Sequence, residues 1–167
     1  MSTRAPRQKK EAASRVEHLM TKEVRACRPS DSLNHAAQIL WEHDIGTLPV
    51  VADDGSNRLV GILTDRDICM AAYTQGGSLG SLSVASAMSR DVKACTPIAT
   101  LEEAAHEMAQ ARVHRLPVVD GARQLLGMLS LADLAREAAG KPSAKGGSAG
   151  FSLVGKTLAA IVSPRPV

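Results

Sequence analysis

Three stretches of the chain carry side chains whose types and spacing could do chemistry. Gly150 to Thr157, GFSLVGKT, satisfies the phosphate-binding loop pattern G-x-x-x-x-G-K-S/T, in which backbone N–H groups cradle phosphates and the lysine reaches them. Thr64-Asp65-Arg66-Asp67 and Ser130-Leu131-Ala132-Asp133 each place a hydroxyl residue three positions before an aspartate. That spacing makes a capping box at a helix start. It also suits a nucleotide, because a helix start turns N–H groups and a positive dipole end toward phosphate, and a nearby aspartate can accept from both ribose hydroxyls. No nucleophile with an adjacent base can be assembled from these residues, so a catalytic role is not expected.

The elements that position these residues come from an internal duplication. Val16 set against Val84 aligns VEHLMTKEVRACRPSDSLNHAAQILWEHDIGTLPVV with VASAMSRDVKACTPIATLEEAAHEMAQARVHRLPVV without a gap. A two-residue deletion in the next turn then aligns RLVGILTDRDICMAA with QLLGMLSLADLAREA. Met20/Met88, Cys27/Cys95, Pro29/Pro97, Gly61/Gly127 and Asp67/Asp133 coincide.

Each copy predicts the same order of elements. A short strand around Val24 to Cys27 is followed by a helix with Leu33, Ala36, Ala37 and Leu40 on one face, or Leu101, Ala104, Ala105 and Met108 in the second copy. Thr100-Leu101-Glu102-Glu103 is a capping box for the latter. The apolar run LPVV, a turn and the run ending at Leu63 or Leu129 predict a strand pair, and a second helix starts at Thr64 or Ser130. The fold class is therefore α/β: two β-α-β-β-α repeats, each too small to bury its sheet alone, packed sheet to sheet about a pseudo-two-fold axis. Repeat 1 is expected over 16–78, repeat 2 over 79–139, a flexible linker over 140–150 and a C-terminal extension over 151–167.

A tandem β-α-β-β-α repeat carrying x-P-V-V and then GILTDRD or GMLSLAD resembles a pair of cystathionine-β-synthase (CBS) domains, the Bateman module, as found in stand-alone bacterial proteins. The resemblance implies that Thr64, Asp67, Ser130 and Asp133 contact phosphate and ribose. It implies adenine and phosphate contacts along Ile45, Gly46, Thr47 and Pro49 and along Val113, His114, Arg115 and Pro117. Lys22 and Val24, with Arg90 and Val92, resemble the remaining adenine-contacting edge. Arg66, His114 and Arg115 then serve as cations for phosphate oxygens. His114 and Arg115 are equally suited to salt bridges with the acidic body. The implied ligand is an adenosine nucleotide (AMP, ADP or ATP), bound as a regulator rather than as an obligatory cofactor. The implied assembly is a homodimer, and a ligand-free dimerisation scaffold is the alternative.

Composition narrows the partners. Residues 16–138 hold 11 Lys/Arg against 16 Asp/Glu, so the positive balance belongs to the ends, where a basic arm over 1–15 reads as solvated chain. With one Trp, one Tyr and one Phe there are no stacking platforms for nucleic acid, which is not an expected partner. No apolar run suits a membrane span, and a cytoplasmic location is expected. Cys27, Cys69 and Cys95 lack metal-ligand spacing, and the remaining histidines (His18, His35, His43, His106) share no pattern with them. A metal or disulfide joining Cys27 to Cys95, at their equivalent positions, stays a minor alternative. Trp41 is expected on the apolar side of its helix, packed within the module or at a dimer contact.

The GFSLVGKT match lacks the surroundings that a phosphate loop needs. A Lys/Pro/Ser/Gly linker precedes it rather than a strand, and Pro164 and Pro166 stop any helix soon after it. Leu153, Val154, Thr157, Leu158, Ile161 and Val162 instead predict a short amphipathic helix that docks on the module or on a second subunit.

Overall fold

The computed structural model describes residues 15–140 and 149–163. Residues 1–14 of the basic arm and 141–148 of the expected linker lie outside the described residues, as do Pro164 and Pro166, whereas Gly140, Ala149 and Gly150, expected in the linker, are helical. The elements are α1 (Leu33–Glu42), β1 (Thr47–Val51), β2 (Leu59–Thr64), α2 (Asp65–Gln75), α3 (Leu101–Ala111), β3 (Arg115–Val119), β4 (Leu125–Ser130), α4 (Leu131–Gly140) and α5 (Ala149–Val162). Short 3-10 turns lie at Val16–His18 and Val84–Ser86.

Local sequence accounts for the helix bounds. Ser32 Oγ accepts the His35 N–H at 3.2 Å to open α1, and Thr100 Oγ1 accepts the Glu103 N–H at 3.2 Å to open α3. Asp44 (φ 51°) and Arg112 (φ 54°), equivalent in the repeat, take the left-handed conformation and turn each chain out of its helix toward the next strand. The two hairpins have the same register. Thr47 faces Thr64 and Arg115 faces Ser130, so each hairpin brings the start of its first strand beside the start of the following helix.

The first strand of each copy is shorter than its pattern suggests. Only Cys27 bridges to Val50, and only Cys95 to Val118, both in parallel sense. Just upstream, Val24 N–H donates to Lys22 O at 3.2 Å and Val92 N–H to Arg90 O at 3.1 Å, tight turns that point the chain away from the sheet.

The two hairpins meet across a shared apolar cluster of Val51, Leu59, Val92, Val119 and Leu125, with Val24, Ala26, Ile62 and Ala94 beside it. Reciprocal hydrogen bonds close this junction: Leu59 N–H donates to Arg123 O at 2.9 Å and Leu125 N–H to Asn57 O at 2.8 Å.

The segments that open the two repeats are exchanged. Val16 is wholly buried with Leu101, Met108 and Leu116 in the second repeat's core, whereas Val84 and Met88 pack with Leu33, Leu48 and Leu63 in the first. Burying such a valine contributes about 1.5–3 kcal/mol. The exchange needs close backbone crossings, where Ser89 bridges to Ile62 and Thr21 to Met128. Glycine beside each crossing makes room. A Cβ on Gly127 would stand 2.7 Å from Thr21 O, and one on Gly61 would stand 2.7 Å from Met88 Sδ.

Two alternatives that the sequence leaves open are narrowed. Trp41 does not pack within the chain, since it is 88% exposed. Cys27 and Cys95 sit in separate repeat cores, and all three cysteines are free thiols, so nothing joins the pair. Burial, then the Asp31 charge, pushes the Cys27 thiol up to about 12; burial and Glu107 push that of Cys95 up to about 11. Neither is a ready thiolate at neutral pH.

Candidate functional site

Both S/T-x-x-D motifs are complete capping boxes. Thr64 N–H and Oγ1 donate to Asp67 Oδ2 at 2.8 and 2.7 Å, while Asp67 N–H donates to Thr64 Oγ1 at 3.2 Å. Ser130 N–H and Oγ donate to Asp133 Oδ2 at 2.7 and 2.6 Å, with Asp133 N–H returning to Ser130 Oγ at 3.2 Å. Each box uses one carboxylate oxygen and leaves the other for a further donor. In the second repeat Arg136 takes Asp133 Oδ1, whereas Asp67 Oδ1 accepts no hydrogen bond among the described residues. Capping and ligand binding are thus compatible in the first repeat, and in competition with an exposed arginine in the second.

The strand entries lie over these helix starts. Asp65 N–H donates to Gly46 O at 3.4 Å and Leu131 N–H to His114 O at 2.8 Å. The starts differ chemically. Asp65 Oδ1 accepts the Arg66 N–H at 2.7 Å, which fills the opening turn of α2; Ala132 N–H at the matching place in α4 has no partner among the described residues.

Between the repeats these groups surround one cleft of about 1180 Å³. It brings together Gly46, Thr47, Thr64, Arg66 and Asp67 of the first repeat with Val92, Val113, His114, Arg115 and Ser130 of the second. It is roomier than the roughly 300–1,000 Å³ of ordinary small-molecule pockets, so a nucleotide has space to enter. Arg66, Arg112, His114 and Arg115 form no ion pair among the described residues, so the salt-bridge alternative for His114 and Arg115 is not realised there. Arg115 Nη1 instead donates to Thr47 Oγ1 at 3.3 Å. Unpaired cations beside helix N-termini form an anion-binding environment.

Other expected site residues lie elsewhere. Pro49 and Pro117 are buried mid-strand, where their carbonyls accept Cys27 N–H at 3.1 Å and Cys95 N–H at 3.0 Å. Lys22, Val24 and Arg90 do not line the cleft, Val24 packing in the junction cluster. Ile45 faces a smaller groove of about 440 Å³ between α1 and α2, whose charged residues, Asp44 and Asp65, are both acidic. Asp133 stands behind Ser130 rather than on the wall. The cleft also includes residues that the motifs did not mark. Lys93 is paired with Asp91 at 3.2 Å, Arg112 arrives through its left-handed backbone, and Val154 and Leu158 come from α5.

GFSLVGKT is not a loop. Gly150 to Thr157 all lie inside α5, where the backbone N–H groups beyond the first turn are committed to the helix. Thr157 is buried and donates to Leu153 O at 2.9 Å, and Lys156 points to solvent. The helix docks in cis on α3 and α4, with Ile161 in the second repeat's core and Leu153 and Val154 against it. No helix among the described residues is long and apolar enough to cross a membrane.

Comparison with known proteins agrees with this architecture. CBS domain-containing protein YhcV of Bacillus subtilis is 37% identical over 122 residues, covering 73% of this chain and 84% of its own. The structure of the CBS domain pair of protein MJ0100 in complex with 5′-methylthioadenosine and S-adenosyl-L-methionine matches with a TM-score of 0.68 at 28% identity, covering 78% of this chain and 99% of that one. Hypoxic Response Protein I with two coordinated zinc ions matches with a TM-score of 0.67 at 31% identity, covering 77% and 100%. Among the described residues of this chain no group of three His, Cys, Asp or Glu side chains could hold a metal ion. The CBS domain family matches residues 16–73 and again 84–140, one match for each half of the duplication. With two such units folded around one cleft, the chain belongs to the CBS domain family.

Proposed function

We propose that this chain is a non-catalytic regulatory module that binds an adenosine nucleotide in the cleft between its repeats and transmits binding as a change of shape or assembly. The observation that carries the reading is the convergence of two capped S/T-x-x-D helix starts on one cleft with Arg66, Arg112, His114 and Arg115, all without ion-pair partners among the described residues. The first repeat offers Asp67 Oδ1 for a ribose hydroxyl, and the cations balance phosphate charge. The bound adenosine compounds of the MJ0100 domain pair support the ligand class. A signal requires that the ligand favour one conformation over another. Isothermal titration with AMP, ADP, ATP, NAD and S-adenosylmethionine tests the reading. Absence of binding at millimolar concentration by all five would sink it.

A second reading, a ligand-free homodimerisation scaffold, is favoured by Trp41 and Tyr73, which stand 88% and 83% exposed on α1 and α2. Large exposed aromatics are enriched at protein interfaces. Mass measurement by light scattering with and without AMP separates the readings. The scaffold predicts a dimer indifferent to nucleotide and weakened by Trp41→Ala.

A further inference from the structure

Helix α5 begins after residue 140, where the second family match ends, so its contribution to the cleft belongs to this chain's own extension. Its inward-facing residues form two adjacent stripes. Leu153, Thr157 and Ile161 recur every fourth position and face the second repeat, where Thr157 and Ile161 are 3% and 8% exposed. Val154 and Leu158, also four apart, stand on the edge that lines the cleft. Docking does not require Leu158, which remains 43% exposed and outside the core cluster. On the same wall the opening of α4 presents Leu131, Ala132 and Ala135, whereas the opening of α2 presents Asp65 and Arg66.

We propose that α5 is a ligand-contacting wall of the cleft, with Val154 and Leu158 packing against the uncharged nucleoside portion of the bound molecule. The inference rests on the adenosine reading above and assigns the two ends of the ligand to different elements. Phosphate faces the arginines and the apolar nucleoside surface faces α5. Contact with ligand also links occupancy to docking, because anything that binds the docked helix and not the undocked one stabilises docking.

Isothermal titration of the full chain with AMP and with the phosphate-free 5′-methylthioadenosine tests the proposal, using Leu158→Ser and, as a control on the exposed side of α5, Lys156→Ala. Leu158→Ser is expected to weaken both probes by a similar factor, about five- to tenfold for a lost apolar contact, while Lys156→Ala binds as the unchanged protein does. Amide exchange in α5 of the unchanged protein is expected to slow when either probe is added. Binding that Leu158→Ser leaves equal or tighter overturns the proposal alone and leaves the adenosine reading standing. If Leu158→Ser does not fold, ligand binding without slower exchange in α5 overturns it. Failure of either probe to bind the unchanged protein overturns the proposal, and the adenosine reading falls with it only if ADP, ATP, NAD and S-adenosylmethionine fail to bind as well.

Discussion

Arg115 and Thr47 hold the same place in the two copies of the duplicated unit, and they are hydrogen-bonded to each other, Arg115 Nη1 donating to Thr47 Oγ1 at 3.3 Å. One guanidinium therefore reaches from the second repeat to the strand entry of the first. Gly46 lies beside this contact, and a Cβ there would stand in ordinary van der Waals contact, 3.6 Å from Arg115 Nη1 and 3.5 Å from Asp65 Oδ2.

If the guanidinium reads phosphate, Arg115→Ala weakens AMP by about tenfold or more, the usual effect of losing a hydrogen bond to a charged group. It weakens 5′-methylthioadenosine little. Thr47→Val, which removes only the hydroxyl that Arg115 now touches, leaves AMP affinity near that of the unchanged protein. Titration calorimetry on the two variants checks both outcomes, and equal losses for the two ligands would contradict the assignment.

The two aspartates are expected to respond differently. Asp67→Ala removes a capping box from α2, costing about 1 kcal/mol of stability, and also removes the carboxylate oxygen offered to ribose. Arg136→Ala leaves stability nearly unchanged, because its partner Asp133 stays bound to Ser130 and the arginine is 73% exposed. It frees Asp133 Oδ1, but because Asp133 stands behind Ser130 rather than on the cleft wall, ligand affinity is expected to change little, whereas Asp67→Ala lowers it. Denaturant melts and ligand titration measure the two effects separately.

At the strand crossings, Gly127→Ala is expected to destabilise more than Gly61→Ala. The new methyl at 127 meets the Thr21 carbonyl of the backbone at 2.7 Å, whereas the one at 61 meets first the movable Met88 sulfur. Overpacking of this kind costs about 1–3 kcal/mol. Urea midpoints with unchanged slopes would report the ranking directly.

Gly155→Ala separates the helix from a phosphate loop. Position 155 lies inside α5 with nothing within 4 Å of an added Cβ, so alanine is expected to stabilise the helix by about 0.5–1 kcal/mol. A phosphate loop would lose function on the same change. Thermal melts and an assay for ATP turnover, expected to be nil for both proteins, test the point.

Alkaline pH should destabilise the fold through its buried thiols. In the unfolded chain a thiol ionises near its ordinary value of 9.0, but in the folded chain Cys27 and Cys95 are raised to about 12 and about 11. Stability from these groups is therefore fully present below pH 9.0 and is lost as pH rises toward the folded values, because the unfolded chain then binds fewer protons. A double variant, Cys27→Ala with Cys95→Ala, is expected to show a smaller fall in melting temperature between pH 9 and 11 than the unchanged protein.

Much of this was legible because duplication repeats each signal. GILTDRD and GMLSLAD at matching places mark both helix starts, and the capping box from Thr100 to Glu103 marks the opening of α3. The pattern around Val24 predicts more strand than forms, since a turn of three residues at Lys22 leaves no trace in hydrophobic pattern. Which repeat receives Val16 was not legible, because an apolar residue suits either core equally well. What covers Trp41 was not legible for a related reason: helical spacing gives a face, not its partner. Periodicity marks Val154 and Leu158 as apolar positions on a docking helix, but their place on the cleft depends on how α5 crosses α3 and α4, which periodicity does not encode.

The exchanged opening segments make the repeat boundary in sequence a poor boundary in matter. A fragment cut after residue 78 would carry Val16 with no pocket to enter, and would lack the Val84 and Met88 that fill its own interior. Each half is thus the other's missing piece, so the pair should melt as one cooperative unit. A strain applied at the cleft in one half has a covalent handle inside the other.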